Sequence, residues 1–296
     1  MQAIGFYLIY GILWLFSLLP LRILYIISDI LYVSIRFGGY RKKVITDNLK
    51  FSFPNLSNKE IGEIRNKFYQ HFSDLILETI KVQTMSKKEM RKRVVFKNLE
   101  KIHKHYNADK DVVAVLGHYG NWEWITSFSL HIEALACDVY HELKNPYFDR
   151  HMLKLRSRWG NANFEMKSSV REIVRLRQKK QRFVIGLIAD QSPSRTKIQY
   201  CRPFLNQNTP FILGPEKIAK LTESPVVFFH MNKVKRGYYE VNIIPILEST
   251  KDADQYEITN KHVDTLESII KQRPELWLWS HKRWKYAENR HLNHAN

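Results

Sequence analysis

A histidine and a glutamate lie five residues apart in the segment Gly117–Glu123, whose sequence is GHYGNWE. An imidazole can take a proton from a hydroxyl group near neutral pH, and a carboxylate can hold its second ring nitrogen. If Asn121 opens a helix, Glu123 lies in its first turn, close to the imidazole. We therefore predict that His118 is a general base and that Glu123 fixes its tautomer. The glycines at 117 and 120 would let a substrate approach the backbone closely.

The histidine comes directly after a short, continuous apolar run, Val112 to Leu116. Such β-branched, apolar runs are typical of strands buried on both faces of a parallel sheet. Ligands bind beyond the carboxyl ends of these strands, so we expect His118 to face a cleft. Asp190 follows a second run of this kind, Phe183 to Ala189. We expect it to line the cleft and position His118 or the substrate, the alternative being a cap for the next loop.

Strands and helices alternate along the chain after residue 50, which indicates one α/β domain. Capping residues support helix starts after Ser57, at Pro146 after Asn145, and at Ser169. The periodicity predicts further helices over Asn121–Leu135, Phe211–Thr222 and Ile258–Lys271, a strand over Asp138–Leu143, and a hairpin of Val226–Val234 with Tyr238–Ile246. A long loop should separate Asp190 from Pro210. The expected architecture is a mixed, mainly parallel sheet flanked by helices.

The amino-terminal part of the chain has a different composition. Ala3 to Leu19 carries no charge and would span about 25 Å as a helix, at ~1.5 Å per residue. A second apolar stretch, Ile23 to Phe37, precedes the basic cluster Arg41 to Lys43, which belongs on the cytoplasmic side. We predict that residues 1–43 anchor the protein to a membrane, as one short span or as a hairpin in the interface, and that 44–296 form the catalytic domain. Two buried core helices are the alternative.

The chain is strongly basic, with 47 Lys and Arg against 29 Asp and Glu and a formal net charge of +18. Its partners should therefore be anionic. From His141 to Arg182 there are 12 basic and 4 acidic residues, a net charge of +8, and we expect this stretch to bind phosphates or an acidic protein. A solvated helix face is the alternative. Aromatic residues fall mainly on apolar periods and in the amino-terminal segment, so we expect no nucleic acid partner.

Several motifs of common enzyme classes are absent from the sequence. GxGxxG, GxxxxGK, HExxH and GxSxG do not occur, which disfavours dinucleotide, P-loop, zincin and α/β-hydrolase chemistry. A hydrolase that uses the same His–Glu pair on a lipid ester is one alternative function, and a non-catalytic lipid-binding protein is another. Histidine and acidic residues do not cluster at ligand spacing, so we expect no metal.

Together these features resemble the bacterial lipid A biosynthesis acyltransferases, the late lauroyl and myristoyl transferases of the HxxxxD/E acyltransferase superfamily. His118 and Glu123 stand at the two ends of that motif, where many members have Asp in place of Glu. Other segments match along nearly the whole chain: Leu18–Leu21, Gly39–Val44, Asn48-Leu49, Phe53-Pro54, Asn145-Pro146, Arg156, Asp190-Gln191, Thr209-Pro210, Gly214-Pro215 and Pro274–Lys285.

The resemblance implies a glycerol-3-phosphate-acyltransferase-like fold and a membrane enzyme of lipopolysaccharide biosynthesis. Such an enzyme moves a fatty acyl chain from acyl carrier protein, or from coenzyme A, to a hydroxyl of a lipid A precursor at the cytoplasmic face of the bacterial inner membrane. It implies no cofactor beyond this co-substrate, and acyl carrier protein, the lipid acceptor and the anionic membrane surface as partners. The main alternative is the same chemistry on a glycolipid, an aryl polyene lipid or an aminolipid.

Within this reaction, His118 would deprotonate the acceptor hydroxyl, and the alkoxide would attack the thioester directly. We expect six further residues to contact substrate: Asn121, Trp122, Arg156, Arg158, Asp190 and Arg283. The two arginines at 156 and 158, and backbone N–H groups near Gly120, are candidate donors to the developing oxyanion. Arg283 is a candidate for a phosphate contact, while the neighbouring tryptophans pack on the core or lie at the membrane interface.

Overall fold

The computed structural model describes residues 2–286, so Met1 and the end of the predicted catalytic domain, residues 287–296, lie outside the described residues. The helices are α1 (Gln2–Leu18), α2 (Leu21–Phe37), α3 (Lys42–Ser52), α4 (Asn58–Lys81), α5 (Lys87–Arg93), α6 (Glu100–Asn107), α7 (Pro146–Arg156), α8 (Ser169–Gln178), α9 (Gly214–Thr222) and α10 (Glu257–Gln272). The strands are β1 (Val94–Lys97), β2 (Val112–Leu116), β3 (Leu135–Tyr140), β4 (Ala162–Glu165), β5 (Phe183–Ile188), β6 (Cys201–Phe204), β7 (Gln207–Pro210), β8 (Val226–Lys235) and β9 (Tyr238–Leu247).

Seven of these strands form one sheet in the order β1-β9-β8-β2-β5-β3-β4. Neighbours are parallel except for the antiparallel hairpin of β8 and β9, so the predicted mixed, mainly parallel sheet is confirmed. All five residues of β2 are buried, as a continuous apolar run predicts for a central strand. Val113 and Val115 join one hydrophobic cluster and Ala114 and Leu116 another, because successive side chains point to opposite faces.

The predicted hydrophobic segment forms α1 and α2, two helices of 17 residues separated at Pro20. Within residues 2–286, the structure contains no helix with both the length and the apolarity needed to cross a membrane, so the predicted transmembrane span is not supported. α2 packs against α4, where Leu24 is buried and the Ser28 hydroxyl donates to the Asp74 carboxylate at 2.8 Å. The opposite side of the segment is apolar and exposed, as at Ile26 and Ile30.

Local capping chemistry explains where several helices begin. Ser57 and Glu60 form the predicted capping box of α4, and the Asn145 side chain caps α7 ahead of Pro146. The predicted capping box at Ser169 is wrong, because that residue is already helical and its hydroxyl donates to the Met166 carbonyl.

Other boundaries differ from the sequence-based expectation. The predicted helix from Asn121 to Leu135 is a shorter 3-10 helix, Trp122–Leu130, and β3 begins at Leu135 rather than at Asp138. The edge strands β1 and β4 were not predicted, since runs of only four residues give little periodicity. Part of the predicted long loop before Pro210 is the two-stranded β6–β7 hairpin.

Glu78 of α4 is the centre of a buried polar cluster that joins α2, β9 and the segment after β2. Its carboxylate accepts hydrogen bonds from the hydroxyls of Tyr25 and Tyr239, both at 2.8 Å, and from the Asn121 amide at 2.6 Å. Burial raises the pKa of Glu78, against the opposing effect of Lys233 and the tyrosine hydroxyls. Because Asn121 lies three residues after His118, this cluster fixes the position of the chemically important segment.

We expect Glu78→Ala to lower the free energy of unfolding by about 3 kcal/mol or more, because three buried donors lose their acceptor. Urea denaturation of the two proteins measures the difference. The control is Glu63→Ala, which removes an exposed carboxylate from the same helix and should cost less than about 0.5 kcal/mol. Equal losses for the two variants would contradict the role given to Glu78.

Candidate active site

The imidazole of His118 is paired with Asp190, and the predicted pairing with Glu123 is wrong. Nδ1 of His118 lies 2.6 Å from Oδ1 of Asp190, and the backbone N–H of His118 donates to Oδ2 at 2.8 Å. The sheet explains this contact. β2 and β5 are parallel neighbours with Leu116 opposite Ile188, so the residues two positions further along, His118 and Asp190, also come side by side.

Asp190 is buried and accepts a third hydrogen bond, from the indole Nε1 of Trp277 at 2.7 Å. Burial raises the pKa of this carboxyl, but the charge of His118 and the hydrogen bonds from His118 and Trp277 outweigh it and lower the pKa to about 2. The carboxylate is therefore ionised at neutral pH and acts only as an acceptor. Nδ1 of His118 must then carry a proton, which leaves Nε2 free to accept one.

Glu123 instead forms a bidentate ion pair with Arg156. Its carboxylate oxygens lie 2.8 Å from Nη2 and 3.1 Å from Nε of the guanidinium. Burial lowers the pKa of Arg156, but the charge and hydrogen bonds of Glu123, together with the charges of Asp138 and Asp149, exceed that effect and raise it overall. The 3-10 helix capped by Asn121 directs Glu123 toward the end of α7, where Arg156 stands, and away from the imidazole.

A cavity of about 350 Å³ lies at the carboxyl ends of β2, β3 and β5, as expected for a parallel sheet. Four of the predicted site residues line it, namely His118, Trp122, Glu123 and Arg156. The Trp122 ring meets the His118 ring edge-on, with centroids 5.1 Å apart. Polar groups and apolar side chains share its wall: His118, Trp122, Glu123, Arg156 and Gln191, with Leu116, Ile125, Val139, Ile188 and Ile212 among the apolar ones.

Asn121 is fully buried and does not line this cavity. Its side-chain oxygen accepts from the backbone N–H of Trp124 at 3.2 Å, and its amide donates to Glu78. The predicted substrate contact is thus replaced by a structural one, in which Asn121 caps the 3-10 helix and ties it to α4.

Arg158 and Arg283 also lie away from the cavity lining, so their predicted substrate contacts are not supported. Arg158 donates to the Met85 carbonyl at 2.9 Å. Arg283 is buried and donates to the Pro210 carbonyl at 2.6 Å and to the Ser192 hydroxyl at 3.3 Å. Burial lowers the pKa of Arg283 to about 10. Its contacts hold both ends of the segment that follows Asp190.

The two glycines of the GHYGNWE segment make room for protein atoms, so the predicted role of admitting substrate is not supported. A Cβ at Gly117 would lie 2.8 Å from a methyl carbon of Leu266 and 3.2 Å from Oδ2 of Asp190. Gly120 has φ +63°, and a Cβ there would lie 2.8 Å from the Met231 carbonyl oxygen. The tight approach of Asp190 to the His118 backbone thus depends on the absence of a side chain at 117.

Two contacts of His118 were missed by the sequence analysis. The side-chain Nε2 of Gln191 lies 3.1 Å from Nε2 of His118. The segment around Trp277 pairs with the backbone near His118, since the Gly120 N–H donates to the Leu276 carbonyl at 3.0 Å and the Leu278 N–H donates to the His118 carbonyl at 3.1 Å. Both regions match family motifs in the sequence, but a motif match does not give a position in space.

Asp138 lies at the cavity wall, where its carboxyl accepts a hydrogen bond from the Asn161 amide at 2.7 Å. Burial raises its pKa to about 6, although Asn161 and Arg156 oppose the shift. The usual pKa of an aspartate is ~3.9. Asp138 therefore ionises less readily in the folded chain than in the unfolded one. Its ionisation lowers the free energy of unfolding progressively between about pH 4 and pH 6, and the loss stays constant above about pH 6.

We expect Asp138→Asn to raise the free energy of unfolding by about 1–2 kcal/mol at pH 8 and to leave it nearly unchanged at pH 4. The gain is smaller than the full pKa shift implies, because the cavity admits water to part of the residue. Urea denaturation at pH 4, 6 and 8 measures it. The exposed Asp252 supplies the control, since Asp252→Asn should give no gain that grows with pH. A gain at Asp138 that was largest at pH 4 would contradict the raised pKa of this carboxyl.

A half-buried histidine that is paired with a buried aspartate and lines a cavity is suited to general-base group transfer. The family model of bacterial lipid A biosynthesis acyltransferases matches residues 1–286, and the chain belongs to this family. It is accordingly an acyltransferase of lipid A and lipopolysaccharide biosynthesis that acts on a lipid acceptor. Among curated proteins, no sequence matches the chain.

Proposed function

We propose that the protein transfers a fatty acyl chain from a thioester of acyl carrier protein to a hydroxyl of a lipid A precursor, at the cytoplasmic face of the bacterial inner membrane. The observation that carries the proposal is the contact of 2.6 Å between His118 and the ionised Asp190, beside a cavity of about 350 Å³. This pair can take up a proton at Nε2 and balance the resulting charge through Nδ1.

In the proposed reaction, the acceptor hydroxyl oxygen forms a bond to the thioester carbonyl carbon while its proton passes to Nε2 of His118. The carbon–sulfur bond then breaks, and the leaving thiolate takes the proton from Nε2. Asp190 keeps its negative charge throughout and stabilises the imidazolium that forms between the two steps. No covalent enzyme intermediate is required, in keeping with the absence of a nucleophilic serine motif in the sequence.

Glu123 acts in this proposal as the partner of Arg156. Together they form a polar wall of the cavity, and we place the polar head of the acceptor against it. The acidic donor protein would approach from the exposed basic stretch between His141 and Arg182. Lys144 and Lys167 favour an approach from this side, because each is exposed and directly follows a residue that lines the cavity.

Acyl transfer should depend strongly on His118 and Asp190. The substrates are acyl carrier protein thioesters and a tetra-acyl lipid A precursor. We expect His118→Ala to lower kcat by about 10³-fold or more, because it removes the base. Asp190→Asn should lower kcat by about 10²- to 10⁴-fold, because the imidazole loses the carboxylate that orients its tautomer. Glu123→Gln should mainly raise KM for the acceptor. The assay follows radiolabelled acyl chains by thin-layer chromatography.

The exposed Asp252 provides the matched control, and Asp252→Asn should keep wild-type turnover. A larger loss of kcat in Glu123→Gln than in Asp190→Asn would contradict the assignment of Asp190 as partner of the base. Transfer to a glycolipid, an aryl polyene lipid or an aminolipid, with none to the lipid A precursor, would identify a different acceptor for the same reaction. Release of free fatty acid alone would indicate the hydrolase instead.

The amino-terminal helices are the proposed contact with the membrane surface. Leu8, Ile12 and Leu15 of α1, which share one face at helical spacing, are 66%, 54% and 60% exposed. Ile26 and Ile30 of α2 are 62% and 63% exposed. The exposed basic side chains nearby are Arg22, Arg36, Arg41, Lys42 and Lys43. An apolar face bordered by positive charge is typical of helices that bind the interface of an anionic bilayer.

We expect the double variant Ile26→Gln with Ile30→Gln to bind vesicles of anionic phosphatidylglycerol about tenfold or more weakly, because each substitution removes roughly 1 kcal/mol of apolar burial. Co-sedimentation with the vesicles measures the affinity. As a control, Val174→Gln with Leu221→Gln changes two exposed apolar side chains on α8 and α9 and should leave binding unaltered. If both double variants weakened binding equally, the assignment of this face would be rejected.

A further inference from the structure

Gln191 contacts the ring nitrogen that the proposed reaction uses. Its side-chain Nε2 lies 3.1 Å from Nε2 of His118, and it lines the cavity. Because the ionised Asp190 holds the proton on Nδ1, Nε2 of the neutral imidazole has only a lone pair. The amide of Gln191 therefore donates and the imidazole accepts.

An acceptor hydroxyl must reach the same nitrogen to lose its proton. General-base catalysis requires a distance of about 2.6–3.2 Å between the two heavy atoms. The hydroxyl and the Gln191 amide cannot both occupy this position, so binding of the acceptor displaces the amide. The displaced amide is still attached to Gln191, so it stays within one side-chain length of the thioester carbonyl carbon that the hydroxyl oxygen attacks.

The backbone donors proposed from the sequence for the oxyanion are already engaged, and Arg156 is partly so. The Gly120 N–H donates to the Leu276 carbonyl, and the His118 N–H donates to Asp190. Arg156 directs Nε and Nη2 to Glu123, so these two nitrogens are committed and the carboxylate offsets the charge of the guanidinium. Gln191, by contrast, must give up its bond to the imidazole at the moment when the hydroxyl arrives.

We propose that Gln191 is a catalytic residue whose amide N–H moves from Nε2 of His118 to the thioester oxygen as that oxygen becomes negative. This inference rests on the proposed function. The acceptor oxygen bonds to the carbonyl carbon, its proton passes to Nε2, and the carbonyl π electrons move to the oxygen that the amide stabilises. When this electron pair re-forms the carbonyl, the carbon–sulfur bond breaks and the thiolate receives the proton from Nε2.

The test compares purified full-length wild-type protein with Gln191→Leu and Gln191→Glu, which keep the approximate size of the side chain and remove the donor. Two assays run in parallel: transfer of the acyl chain to the lipid hydroxyl, and slow cleavage of the acyl thioester by water, followed by release of thiol. We expect kcat to fall by about 10²- to 10³-fold in both assays, with KM changed by less than about threefold.

Gln199→Leu is the matched control, because Gln199 is exposed, accepts from Lys217 and lies outside the cavity lining. It should retain wild-type rates, and thermal unfolding of each variant shows that its fold is intact. Wild-type or higher kcat in Gln191→Leu would overturn the inference and leave Gln191 as a group that only covers the resting base. If the wild-type protein neither transfers nor cleaves the thioester, the proposed function fails and the inference falls with it.

Discussion

The carboxylate of Asp190 is the group on which the geometry of the site depends. A buried charge of this kind is tolerated only when its oxygens are well hydrogen-bonded, and here three N–H groups supply those bonds, two from His118 and one from Trp277. These donors come from the end of β2 and from the carboxyl-terminal segment, while Asp190 itself follows β5. One ion thus joins three distant parts of the chain and fixes the tautomer of His118.

The segment that bears His118 is held from its other side as well. His71 of α4 lies 3.1 Å from the Gly120 carbonyl through its Nε2, and Glu78 of the same helix binds Asn121. Burial lowers the pKa of His71 to about 3, so this imidazole is neutral at physiological pH. Such enclosure costs conformational freedom during folding, and in return the backbone that carries His118 is already in position when a ligand arrives. The glycine at 120 is required because the Met231 backbone lies directly against it.

Sequence patterns were sufficient for the central strands and insufficient for the partner of the base. β2, β5 and the β8–β9 hairpin are continuous apolar or alternating runs, and their burial follows from composition. Glu123 was expected near His118 because it is close in sequence, but the direction of a side chain in a short 3-10 helix depends on α7, which supplies Arg156. For Asp190 the sequence predicts a contact with either His118 or the substrate, and strand register favours His118, since both residues lie two positions beyond neighbouring strands. The order of the strands, however, is set by long-range packing.

The amino-terminal helices are connected to the walls of the cavity, although the sequence suggested an anchor distinct from the catalytic domain. Phe6 of α1 stacks on Tyr147 and meets Phe148 edge-on, at centroid distances of 5.5 and 5.0 Å, and both rings belong to the helix that ends at Arg156. On the other side, Tyr25 of α2 binds Glu78, which holds the segment after β2 through Asn121. The boundary at residue 43 stays a prediction. These contacts nevertheless mean that a lipid surface bound by the exposed face of α1 and α2 would lie against helices that pack on α7, which carries Arg156, and on α4, which holds the segment of His118. A lipid headgroup could therefore approach the cavity without a separate hinge.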